Sequence, residues 1–219
     1  MNLSKLTELY IYDGSYNDHH TPNYIEGLGY AIPHVKDPKT VTFIENLNVQ
    51  TSRYHKETVM DHIALVVYNM HRDYGNTFGE LAIAIAILHD LGKKYTIGIN
   101  NIGDICYYGH EKLSAEIARN VITNTDIYRN NLFTDEDVDT LYNVIYHHLD
   151  LKLIKDEDMK EIYCQGFRQK YGKRALDYLV ILDKEDQGIA DTNDLYSKET
   201  LDKIQIGTNI IMKYVEKWW

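Results

Sequence analysis

The strongest constraint on this chain is an apolar run that stops on a charged pair. Leu81-Ala82-Ile83-Ala84-Ile85-Ala86-Ile87-Leu88 is followed at once by His89-Asp90. A run this short and this continuous suits either a buried strand or a buried helix. Its alternating alanines, and Gly92 as a stop signal just beyond it, favour a buried central helix. Asp90 then lies at the edge of a core. An unpaired buried carboxylate is costly, so it calls for a cationic partner.

The flanking sequence also reads as helices. Val59, Ile63, Val66 and Met70 recur at spacings of three and four across 58–74, and His62 falls on their face. Leu113, Ile117, Ala118 and Val121 make a second such face in 110–123. Thr134 is placed to cap a helix whose first turn carries Asp135, Glu136 and Asp137 and which runs to about Leu149. A short helix is expected around 156–164. Another over 173–190 has Leu176, Leu179 and Val180 on one face, continued by Asp183 and Asp186. The last starts near Ser197 with Leu201, Ile204, Ile211 and Val215. All three prolines lie within the first 38 residues. The expectation is an all-α body over 55–219 behind an irregular N-terminal extension, 1–54, of unknown role. His19, His20 and His34, in that extension, read as surface histidines.

Composition bounds the function. The chain has 219 residues, 44% hydrophobic, and a net charge of −10, which suits one globular domain. An acidic body argues against bulk, non-specific nucleic-acid binding, which depends on Lys and Arg neutralising phosphates. No apolar run approaches the ~20 residues of a membrane helix. No signal peptide is evident, and Cys106 and Cys164 have no metal or redox spacing, so a cytoplasmic protein is expected.

His62, the pair His89-Asp90 and Asp186 are four metal-type side chains on three core-facing segments. A lone histidine on an apolar face is more often a satisfied core residue, and a lone aspartate there is usually paired. One metal site would satisfy all of these at once. Imidazole and carboxylate without thiolate suit Mn, Fe, Co, Ni or Zn, and Mg less well. A divalent ion there would activate water and polarise a phosphoryl oxygen.

These residues resemble the H…HD…D signature of the HD superfamily of metal-dependent phosphohydrolases. Local blocks are similar to the HD domain of bacterial tRNA nucleotidyltransferases: Arg53 to His62, Leu88-His89-Asp90-Leu91-Gly92-Lys93, Tyr108-Gly109-His110-Glu111, Tyr146-His147-His148-Leu149 and Asp183-Lys184-Glu185-Asp186. The resemblance implies an HD-domain helical bundle with one or two divalent metal ions as cofactor. It implies ligation by His62, His89, Asp90 and Asp186, with His110 and His147 serving a second ion. Periodicity from Leu141 and Ile145 turns His148 inward instead, so both His147 and His148 stay candidates. Asp90 and Lys93 are the catalytic candidates, Lys93 through a phosphate contact. Nothing in 1–54 resembles the nucleotidyltransferase head, so nucleotide addition is not expected.

Arg168, Lys170, Lys173 and Arg174 cluster in an otherwise acidic chain. They are a solvated helix start or further phosphate contacts. Tyr107 and Tyr108 are packing residues or base-stacking ones. The implied substrate is a nucleotide or short RNA end, hydrolysed as a 2′,3′-cyclic phosphodiester or phosphate ester. The alternatives are a nucleotidase acting on free nucleoside mono- or triphosphates, and a non-catalytic nucleotide-sensing HD module.

Overall fold

The computed structural model describes residues 57–75, 77–102, 105–123, 132–190 and 197–218. The readings of 1–54, including His19, His20 and His34, lie outside the described residues. The architecture is a helical bundle. Helix α1 spans Val59–Tyr74 and α2 spans Gly79–Leu88, followed by a 3-10 turn, Leu91–Tyr95. A two-residue antiparallel ladder pairs β1 (Gly98–Ile99) with β2 (Ile105–Cys106). Then come α3 (His110–Thr123), α4 (Asp135–Tyr146), the short α5 (Asp150–Leu153), the long α6 (Glu157–Ala190) and α7 (Lys198–Trp218).

Local chemistry fixes the helix ends that matter. Thr58 caps α1, its Oγ1 accepting from the Asp61 amide at 3.1 Å. Thr134 and Asp137 form a reciprocal capping box at the start of α4. Helix α6 breaks at Gly172, where φ is 89° and ψ 165°, a conformation that glycine tolerates at no steric cost. The two helices expected around 156–164 and 173–190 are therefore the two arms of one broken element.

Every residue from Leu81 to Leu88 is buried, so α2 is the central helix and not a strand. Around it, α1 packs on α2, α6 and α7, while α4 packs on α2, α3 and α6. Helix α7 lies so close to α1 that a Cβ on Gly207 would fall 1.9 Å from the Ala64 carbonyl oxygen. Val59, Ile63, Val66 and Met70 all enter the core as their spacing indicates. Val180 and Leu201 do not; both are exposed, because the broken α6 and the edge helix α7 bury narrower faces than the sequence pattern offered. Gly92 is not a helix cap. It sits in the 3-10 turn, and a Cβ there would lie 2.4 Å from the His110 carbonyl oxygen. Glycine lets this turn press against the start of α3, and the Gly92 amide donates to Ser114 Oγ at 2.9 Å.

Candidate metal centre

Four histidines point into one buried space, and each is held through its Nδ1 atom. His89 Nδ1 donates to the Ala86 carbonyl at 2.8 Å, His110 Nδ1 to that of Tyr107 at 2.6 Å, and His148 Nδ1 to that of Ile145 at 2.7 Å. His62 Nδ1 meets the buried Glu57 carboxylate at 3.0 Å. A carbonyl only accepts, so at those three rings the Nδ1 atom carries the proton and Nε2 presents a lone pair. All four Nε2 atoms converge on two buried aspartates.

Asp90 is the hub. Its Oδ2 lies 3.4 Å from His62 Nε2 and 3.3 Å from His89 Nε2. Its Oδ1 lies 3.3 Å from His110 Nε2 and 3.7 Å from His148 Nε2. Asp186, from the second arm of α6, brings Oδ1 to 3.1 Å from His62 Nε2. Two groups result: His62, His89 and Asp186, and Asp90, His110 and His148, each with ligand atoms within 4.8 Å of one another. His89 Nε2, His110 Nε2 and Asp90 Oδ1 are buried with no hydrogen-bond partner. Lone pairs facing carboxylate oxygens at this range repel unless a cation lies between them.

That is the test of fit, and the donor set passes it. Imidazole and carboxylate suit a first-row divalent ion. Outer acceptors on every Nδ1 fix the ligating tautomer, as metal-bound histidines require.

The electrostatics agree. Burial alone would raise the Asp90 carboxyl, but the surrounding imidazoles and the Lys93 ammonium hold it well below the usual carboxylate range. Burial opposes ionisation of Asp186 too, and Lys152 and His62 outweigh it. Burial lowers the His62 pKa, yet Asp186 and Glu57 reverse this and leave the ring more basic than an ordinary histidine. His148 goes the other way: burial, then the neighbouring His110, keeps it neutral and available as a ligand.

Comparison with known families matches residues 59–187 to the HD domain. That is more than half of the chain. The chain belongs to the HD domain family. HD proteins are in general metal-dependent phosphohydrolases that bind divalent metals, and some are regulatory. No curated protein and no solved structure matches the chain. Among the described residues, no helix is long and apolar enough to cross a membrane.

In this HD domain the expected residues His62, His89, Asp90, His110, His148 and Asp186 come together. His147 does not join them, and of the two candidates His147 and His148 it is His148 that faces the site. Its Nδ1 pairs with Asp150 at 2.8 Å and its Nε2 with the Tyr171 hydroxyl at 3.1 Å, so neither nitrogen is left for a metal. The turn that ends α4 at Tyr146 sends adjacent histidines to opposite sides. Lys93 does reach the site, with Nζ 2.5 Å from Asp90 Oδ2. The basic cluster lies elsewhere. Arg168, Lys170, Lys173 and Arg174 are all exposed. Arg174 pairs with Asp137 at 2.6 Å and Lys173 with Asp177 at 2.5 Å. Lys170 lies over the Tyr171 ring, and no described contact joins the cluster to Asp90 or Asp186.

Tyr107 is buried and its carbonyl positions His110. Burial and the Asp90 charge push its hydroxyl up to about 12. Tyr108 is exposed. Two residues escaped the sequence reading. Glu57 holds His62, and a ligating histidine's need for an outer acceptor was the available signal. Lys152 pairs with Asp186 across 34 positions of sequence, a distance no local pattern reveals.

Proposed function

We propose that this HD domain hydrolyses a phosphoester in a nucleotide or RNA end. The observation that supports an enzyme over a sensor is that Asp90 offers one oxygen to each of two ligand groups, and both groups are complete. A sensor that had abandoned chemistry would be expected to have lost ligands. Divalent ions in such a site supply Lewis acidity and a water nucleophile at neutral pH. The chain's own residues do the rest. The four imidazoles and two carboxylates would hold the ions, and Lys93 places a cation beside Asp90 where phosphoryl charge would rest.

The resemblance to the HD domain of tRNA nucleotidyltransferases supports a 2′,3′-cyclic phosphodiesterase or phosphatase working on RNA ends. The nucleotidase reading is favoured by the net charge of −10, which suits a small substrate better than a long polyanion. A cytoplasmic setting fits both. A metal-by-substrate screen decides among them, with 2′,3′-cyclic nucleotides, nucleoside mono- and triphosphates and an aryl phosphodiester against Mn, Fe, Co, Ni, Zn and Mg. Turnover of the cyclic phosphate supports the repair reading, and turnover of free nucleotides alone replaces it with the nucleotidase. Stoichiometric nucleotide binding with no turnover under any metal would leave only the sensor.

A further inference from the structure

Lys152 stands on α5, the four-residue helix between the His147-His148 turn and α6. Asp150 and Lys152 are two positions apart, about 200° around a helix, so they face opposite ways. Asp150 faces a brace, accepting from His147 Nδ1 at 2.8 Å and from the Tyr163 hydroxyl at 2.7 Å. Lys152 faces the metal centre, where its Nζ hydrogen-bonds Asp186 Oδ2, the oxygen turned away from His62. Its side chain is 25% exposed, against 13% for Lys93 and 3% for Asp186. An ammonium carries three donors, and the Asp186 oxygen uses one. Lys93 thus sits on Asp90 Oδ2, the oxygen nearest His62 and His89, and Lys152 on Asp186 Oδ2, each lysine more exposed than the aspartate it contacts.

We propose that Lys152 is a substrate-binding residue that contacts a non-bridging oxygen of the substrate phosphate, together with Lys93. Two ammonium groups beside the metal group favour a phosphate carrying two negative charges, a terminal monoester phosphate, over a singly charged diester. This rests on the hydrolase reading above and narrows its substrate class.

The test uses the full chain with Mn2+ and with inorganic phosphate as separate probes. Lys152→Met should bind Mn2+ at least as tightly as the parent, because a competing cation leaves Asp186. It should bind phosphate at pH 8 about tenfold more weakly, the scale of one charge-assisted hydrogen bond. Lys152→Arg, which keeps the charge, should stay within about threefold of the parent. Dimethyl phosphate, a monoanion, should lose less than phosphate does. In the unmutated protein, phosphate should protect Lys152 from reductive methylation, which reads the same contact without a variant. Unchanged phosphate affinity in Lys152→Met, or no protection, overturns the proposal alone. Failure of the unmutated protein to bind Mn2+ would instead sink the hydrolase reading beneath it.

Discussion

His147 and His148 are neighbours in sequence and belong to different kinds of structure. Around His148 the rings are tied down through Nδ1 only, and their Nε2 atoms meet carboxylate oxygens with no proton donor between them. Around His147 both ring nitrogens are used, by Asp150 and Tyr171, and Phe167 packs against the ring at 5.4 Å. Both regions are built of histidine, aspartate and aromatics. One is left electrostatically incomplete and the other is closed. Residue type does not make a metal centre; inward atoms without protein partners do.

The largest expected effect tests the hub. Asp90→Ala removes an oxygen from both ligand groups and leaves Asp186 as the one carboxylate among the six residues. Loss of an outer-shell partner typically costs 10–100-fold in metal affinity or activity, so loss of this ligand should exceed about 100-fold. Metal analysis by mass spectrometry and initial rates check it. Full metal occupancy in the variant would break the assignment.

Next comes the pair itself. His148→Ala should lower the bound metal from two equivalents per chain to one, and His110→Ala should do the same. His147→Ala should leave the metal count unchanged and cost about 1–2 kcal/mol of stability, because Asp150 and Tyr171 each lose a hydrogen-bond partner. Equal metal loss in the His147 and His148 variants would erase the distinction. Metal titration and chemical denaturation of both variants measure it.

A third, smaller effect separates the two ligand groups by pH. His62 has its pKa raised above 6.5, so protons compete with a cation for its Nε2 near neutrality. His148 is held neutral well below 6.5 and offers no such competition. The raised pKa of His62 gives metal-free protein a stabilising contribution that is complete below 6.5 and is lost as pH rises through the folded value. Metal affinity at the His62 group moves oppositely, rising over the same interval. The metal-induced increase in Tm should therefore be larger at pH 8 than at pH 6. At a hundredfold excess over Kd it corresponds to about 2.7 kcal/mol. A shift independent of pH would mean that His62 is not a ligand.

How much of this was legible beforehand follows from the range of each signal. Helix faces are local, so Val59, Ile63, Val66 and Met70 gave α1 from spacing alone, and the fold class followed. The candidate ligands on α1, just past the end of α2 and on α6 were visible because a polar residue on or beside an apolar face is conspicuous. His147 against His148 was not, since the choice turns on where α4 stops, and helix ends are poorly marked in sequence. Lys152 was invisible because its partner sits 34 residues away. The surroundings of the basic cluster were not legible for a related reason: the partners of Arg174 and Lys173, Asp137 and Asp177, are set by packing.

The smallest effect concerns that cluster. If Arg168, Lys170, Lys173 and Arg174 were a nucleic-acid track, neutralising them would weaken binding of an RNA oligomer and flatten its salt dependence, because each phosphate contact adds close to one unit to the slope. As exposed residues, two of them already paired with carboxylates, they should matter little. Lys170→Gln with Lys173→Gln should change stability by no more than about 0.5 kcal/mol, the usual range for surface substitutions. KM for a nucleotide substrate should move by less than about twofold, since no new interaction is lost at the metal group. Lys152→Met, from the other end of the same comparison, should move it substantially while the cluster variant does not. The measurement is KM against salt for both variants side by side. A steep salt dependence that disappears only in the cluster variant would transfer the substrate from the metal rim to the outer face of α6.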